Sequence, residues 1–327
     1  MRELSKAVLA TVLLSLAAFS EIRSQPALPA VRSSQAAQAA RAFETVQFES
    51  KLIGRALPYN VVLPIGYDAP ERKATRYPVL YLLHGYSGSY ADWLTRTKLA
   101  DYAKEYQLII VTPEGQNSWY TDSATVPADK FESYIVEELV PDVQRRFRAL
   151  ETRAGRGIAG LSMGGYGALK FGVKHPELFA FAASMSGAVG AASWRDENDL
   201  PAVLRPSMTR TFGPAAGTVK QANDLFKLVR ELPTERLAGL PFLYLDCGTE
   251  DELRLSAPNR ALADLFVERK IAHEYRQLPG GHRWAYWDQQ VQGVLQLAAR
   301  KLSAPQMTQQ RVRRDEPPAM MWRDYPL

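Results

Sequence analysis

Gly157-Ile158-Ala159-Gly160-Leu161-Ser162-Met163-Gly164-Gly165 decides the reading of this chain. An apolar run, Gly157 to Leu161, reads as a buried strand. A helix pattern follows from Gly164 to His175 and is closed by Pro176. Between them stands Gly160-Leu161-Ser162-Met163-Gly164, a G-x-S-x-G pentapeptide. The pentapeptide alone is a weak signal, and its setting strengthens it. A strand-to-helix turn this tight strains the serine backbone, and glycines on either side allow the close approach it requires. The Ser162 oxygen then stands clear of the sheet at a helix N-terminus.

Working outward, strands and helices alternate. Ala56 to Leu63, Val79 to Leu83 and Leu108 to Val111 read as strands, the middle one a continuous apolar run ending in His84-Gly85. Phe179 to Ala183, Phe242 to Leu245 and Ile271 to Leu278 read as further strands. Helical spacing appears over Ser89 to Tyr106, with Ser89 as cap, and over Phe131 to Phe147. The last helix starts near Arg283. Its Trp284, Trp287, Val291, Val294, Ala298 and Leu302 form one buried stripe. Such alternation predicts an α/β fold with a mostly parallel central sheet and helices on both faces. Residues 188–240 break the pattern and are expected to form an insertion over the sheet edge.

The chain has 327 residues, 46% hydrophobic and 23% charged, which excludes disordered, collagenous and multi-span membrane classes. A net charge of +5 on this length gives no support to nucleic-acid binding. The single cysteine, Cys247, excludes an intrachain disulfide and a multi-cysteine metal cluster. Arg2 and Lys6 precede an apolar run from Ala7 to Phe19 that is short for a bilayer span. Residues 1–24 therefore read as a cleavable export signal, and the mature protein is expected to be secreted or periplasmic, without a stable membrane span. Residues 25–43 read as a flexible leader, 44–303 as the catalytic domain, and 304–327 as a proline-rich, loosely attached tail.

A serine at its ordinary pKa needs a base. Of the four histidines, His84, His175, His273 and His282, only His282 fits both a strand C-terminal end and the order serine, acid, histidine. His84 reads as a loop-stabilising side chain. The acid lies in Asp246-Cys247-Gly248-Thr249-Glu250-Asp251-Glu252. Asp246 belongs to the strand and reads as structural, and spacing leaves Glu250, Asp251 and Glu252 open. A developing oxyanion needs backbone N–H donors. Met163 offers one as the residue after the serine, and the His84–Gly88 loop offers another, at Tyr86.

Five segments in this order resemble the esterase D-like branch of the α/β-hydrolases. They are the His84-Gly85 loop, Gly115–Asp122, Gly160–Gly165, Cys247–Asp251 and Gly281–Trp287. That branch includes S-formylglutathione hydrolases, feruloyl and acetyl-xylan esterases, and mycolyltransferases. The resemblance implies the α/β-hydrolase fold, Asp251 as the acid, and Tyr86 and Met163 as the oxyanion pair. It further implies acyl transfer through a Ser162 ester with neither cofactor nor metal. Gly115–Asp122 and the His-x-Trp-x-Tyr-Trp run look like the mycolyltransferases, and Gly248-Thr249-Glu250-Asp251 looks like the esterases. The expected substrates are short-chain or carbohydrate-linked esters. The alternatives are acyl transfer of mycolyltransferase type, S-formylglutathione hydrolysis if the signal is not used, and a non-catalytic binding module. Oligomeric state is not legible.

Overall fold

The protein is described by a computed structural model over residues 43–196 and 201–307. The segments expected to be an export signal and, for nearly all of its length, a leader lie outside the described residues, as does the expected tail beyond Met307. Eight strands form the main sheet: β1 Glu44–Val46, β2 Tyr59–Val62, β3 Val79–Leu83, β4 Ile109–Pro113, β5 Arg156–Leu161, β6 Phe181–Met185, β7 Phe242–Gly248 and β8 His273–Leu278. Their order across the sheet is β1-β2-β4-β3-β5-β6-β7-β8. The β1–β2 and β2–β4 pairs are antiparallel and every later pair is parallel. A mostly parallel sheet needs cover on both faces, and the strand sequences provide for it.

Alternate side chains of one strand enter opposite cores. Val79, Tyr81 and Leu83 of β3 join one core with Ile158, Leu243 and Leu245. Leu80 and Leu82 join the other with Ala159, Leu161, Ala183 and Tyr244. The first core is covered by the helix Met163–Lys174, through Tyr166, Leu169 and Phe171, and by Leu262 and Phe266 of the helix Ser256–Glu268. The second is covered by the last helix, Trp284–Lys301, whose Trp287, Val291, Val294 and Ala298 keep the predicted stripe.

Three local expectations are corrected. Ser89 to Tyr106 is not one helix capped by Ser89. The helices are Asp92–Arg96 and Leu99–Tyr102, and they break at Thr97 (φ −134°, ψ 172°). The Thr97 hydroxyl bonds the Trp93 carbonyl and accepts from Leu99 N, so it competes with the backbone ladder. The 188–240 insertion does not lie over a sheet edge, since β1 and β8 are the edges. Its helices Arg205–Phe212 and Leu225–Glu231 instead pack Met208, Phe212, Leu225 and Val229 into the first core, beside Tyr166. The start of the expected tail is not loose, because Gln306–Met307 pair antiparallel with Thr75–Arg76.

Candidate active site

Leu161 ends β5 and Met163 begins the next helix, so Ser162 carries the whole reversal of the chain. Its backbone sits at φ 52°, ψ −116°, a sparsely populated region that persists only where the surroundings enforce it. Main-chain bonds do so. Ser162 N donates to Met185 O, and Ser162 O accepts from Ala188 N and Tyr166 N, each at 3.0 Å. The flanking glycines are sterically required. A Cβ on Gly160 would stand 2.4 Å from the Gly164 carbonyl, and one on Gly164 would stand 2.6 Å from the carbonyl oxygens of Leu83 and His84.

His282 arrives from the far end of β8. Its Nε2 lies 3.0 Å from Ser162 Oγ and its Nδ1 lies 2.8 Å from Asp251 Oδ2. The two loops that carry acid and base are tied together: Thr249 N donates to Leu278 O at 2.8 Å and Glu250 N to Gly280 O at 3.0 Å. The Asp251 side chain has no solvent exposure. Its other oxygen accepts from Leu253 N at 3.0 Å and Leu255 N at 3.4 Å. Burial works to raise the Asp251 carboxyl, but the hydrogen bond and charge of His282, with those two amides, hold it below the ordinary aspartate value. The Trp287 ring meets the His282 ring edge-on, with centroids 4.9 Å apart.

The acids left open by spacing now separate. Asp251 bonds the imidazole, while Glu252 accepts from the His282 main-chain amide at 2.6 Å and pairs with Arg283. Glu250 accepts from its neighbour Thr249. Asp246 stays within β7, where Tyr286 donates to it at 2.8 Å and burial pushes its carboxyl up to about 7. The other histidines are engaged elsewhere. His84 Nδ1 is 2.8 Å from Gly85 O, and its Nε2 lies 2.9 Å from Gly115 N and 3.5 Å from Glu114 Oε1. His175 pairs with Glu132 and His273 with Ile271 O. Burial pushes the Cys247 thiol up to about 12, so it offers no thiolate nucleophile.

Met163 is the first residue of its helix, where amides lack acceptors in a preceding turn. In the facing loop the Ser87 amide goes to Asn117 and the Gly88 amide to Gly85 O. Tyr86 N–H has no acceptor among the described residues. Ser162 and His282 open on a cavity of about 430 Å³ whose walls include Tyr86, Trp119, Leu204, Leu253, Trp284 and Trp287. This arrangement can deprotonate a serine, hold a developing oxyanion and bind an apolar acyl or aryl group.

Residues 50–297 match the family model described as putative esterase. The chain belongs to that family. The esterase is a carboxylic ester hydrolase of the esterase D-like group. It is 29% identical over 256 residues to an acetyl esterase of Caldicellulosiruptor saccharolyticus, covering 75% of this chain and 94% of that protein. It is 31% identical over 255 residues to an esterase of Mycobacterium tuberculosis, covering 72% of this chain. The chain spans about half that protein's length, 54%. Among solved structures, a ferulic acid esterase superposes with a TM-score of 0.67 at 27% identity, covering 80% of this chain and 98% of that one. Among the described residues no helix is long and apolar enough to cross a membrane.

Sequence reading missed one element of the site's surroundings. Lys170 is fully buried and bonded to Glu132, Tyr120 O and Thr121. A lysine between Leu169 and Phe171 in an apolar helix was the available signal. Its partner Glu132 lies 38 residues away and could not be named without the fold.

Proposed function

We propose that the esterase is an exported serine esterase that hydrolyses short-chain or carbohydrate-linked esters through an acyl-enzyme. Ser162 Oγ attacks the ester carbonyl while His282 Nε2 takes its proton. The carbonyl oxygen becomes an oxyanion that the amides of Tyr86 and Met163 receive. His282 returns the proton to the leaving alcohol as the tetrahedral adduct collapses, leaving the acyl group on Ser162. Water then attacks that ester with His282 again as base, and the acid leaves with Ser162 Oγ reprotonated. Asp251 holds the imidazole tautomer and stabilises the imidazolium.

One observation carries this reading: the continuous Ser162–His282–Asp251 hydrogen-bonded chain, at 3.0 and 2.8 Å, opening on the aromatic-lined cavity. A cavity of this size suits a small acyl group with an aryl or sugar alcohol. The names of the acetyl esterase and ferulic acid esterase relatives agree with small-acid esters. Export is supported by Arg2, Lys6 and the Ala7–Phe19 run.

The test is stoichiometric labelling by a fluorophosphonate, repeated on Ser162→Ala, together with an ester panel varying acyl length and alcohol. Labelling of the native chain and none of the variant is expected. Equal labelling of both would remove the serine from the mechanism. Sugar or alcohol acceptors added to the panel separate a hydrolase from a transferase. Acyl-acceptor product exceeding free acid would establish transfer instead. N-terminal sequencing of protein from a native host is expected to begin near residue 21–25, and a species starting at Met1 would contradict export.

A further inference from the structure

The Gly115–Asp122 segment has no part in the chemistry above, yet its backbone is held in an uncommon shape. Gln116, Trp119 and Tyr120 all have positive φ, at 47°, 56° and 50°. Large side chains rarely adopt that region, so the surroundings must impose it. The Tyr120 ring is wedged between two glycines. A Cβ on Gly115 would come within 2.3 Å of it and one on Gly167 within 2.8 Å.

Lys170 fixes the same turn from below. From the helix Met163–Lys174 its Nζ donates to Tyr120 O at 2.7 Å, Thr121 Oγ1 at 2.7 Å and Glu132 Oε2 at 2.8 Å. An ammonium has three donors and all three are used. Glu132 is held in turn by Lys174 and His175. Burial lowers the Lys170 ammonium to about 8, with the Glu132 charge opposing that fall. A fully buried lysine is destabilising unless its partners are fixed, so this one is tied to a single geometry of the turn.

On its other side the segment grips the loop that carries Tyr86. Gly115 N donates to His84 Nε2 at 2.9 Å, and Tyr120 OH donates to His84 O at 3.1 Å. Asn117 Oδ1 accepts from Ser87 N at 2.6 Å, and the Trp119 and Tyr86 rings lie 6.0 Å apart. Residues on both sides of the Tyr86 amide are therefore set by the 115–120 segment. We propose that Lys170 is a positioning residue for the oxyanion hole, acting through the Trp119–Thr121 turn to aim the Tyr86 N–H. This rests on the serine mechanism proposed above. Lys170 itself touches no substrate.

Lys170→Met and Tyr120→Phe in the full chain test it. Both are compared with the native enzyme in p-nitrophenyl acetate hydrolysis and in inhibition by a trifluoromethyl ketone, whose serine adduct carries an oxyanion. Loss of a whole oxyanion donor lowers kcat by roughly 10²–10³, so a misaimed one is expected to lower it about tenfold or more. KM should change by less than about twofold, and the ketone Ki should rise in step with the fall in kcat/KM. The double variant should lose no more than the worse single one, because both act through one turn. Unchanged kcat and Ki in Lys170→Met, whatever happens to Tm, overturn the proposal. Should that variant not fold, unchanged kcat and Ki in the isosteric Tyr120→Phe overturn it equally. Fluorophosphonate separates the two levels. No labelling of native Ser162 would bring down the serine mechanism and this proposal together. Normal labelling with native kinetics in both variants would bring down only the role of Lys170.

Discussion

Ser162 is held at its strained angles by main-chain bonds and not by its hydroxyl, so removing that oxygen leaves the elbow standing. Ser162→Ala is accordingly expected to lower kcat by about 10⁴ or more, with Tm within about 2 °C of native. Retention of a tenth of the activity would sink the acyl-enzyme. Asp251→Asn keeps the shape but removes the charge that orients His282, and a loss of about 10⁴ in kcat is expected. The same substitution has a signature in stability. The folded Asp251 carboxyl lies below its unfolded value. It therefore contributes stability that is present above about pH 4 and is lost as pH falls through the folded value. A melting series from pH 3 to 7 should show a shallower acid limb in Asp251→Asn than in the native chain, and identical limbs would contradict the assignment. Which of three neighbouring acids faces His282 was not legible from spacing. It depends on the parallel register of β7 and β8, Cys247 against Gln277 and Gly248 against Leu278, which brings two loops 30 residues apart to one place.

Elements obeyed their hydrophobic period where packing alone set them and departed from it where a polar or imino group intervened. The run Phe131 to Phe147 reads as one helix, and the backbone follows it except for a π-helical stretch at Tyr134–Leu139. Pro141 supplies the reason: it has no N–H to donate and its ring crowds the preceding turn. Within β7, Asp246 is fully buried with no cation bonded to it among the described residues, and its carboxyl is raised to about 7 by desolvation. Between about pH 4 and 7 the folded chain keeps a proton that the unfolded chain gives up, so stability falls as pH rises through that window, by about 4 kcal/mol at most. Asp246→Asn can still accept from Tyr286 and cannot ionise. Its Tm is expected to exceed the native value at pH 8 and to converge on it toward pH 4, with kcat within about threefold. A Tm difference independent of pH would remove the buried-carboxyl explanation.

At the scale of the molecule, Ser162, Asp251 and His282 follow the C-terminal ends of three parallel strands, and the insertion contributes to the wall of the cavity beside them. Pro201, Val203 and Leu204 line it together with Trp284 and Trp287. Arg210 of the same insertion is anchored to Asp129 at 2.6 Å, and Phe212 packs on Trp119 at 6.2 Å. Leu204, the N-cap of the anchored helix Arg205–Phe212, is therefore expected to limit acyl and alcohol size. Leu204→Trp is expected to lower kcat/KM for bulky aryl esters about tenfold while p-nitrophenyl acetate stays within about twofold. Equal losses on both substrates would mean that the wall supports the catalytic groups and does not select by size.

The elbow, the alternation of strands and helices, and the order serine, acid, histidine were all present in the amino-acid sequence. Each is a local pattern: a glycine spacing that only a tight turn uses, an apolar period, a chain order. These determined the α/β class and the choice of Ser162 and His282. Tertiary structure alone decided the rest. It showed that the insertion covers the Tyr166 face and not an edge, and that Lys170 is buried against Glu132 beneath the Tyr120–Thr121 turn; Asp251, which only the family resemblance had singled out and spacing had not, bonds the imidazole there. Those facts depend on contacts between residues far apart in the chain. Such contacts follow from strand register and helix packing, and no local spacing encodes them.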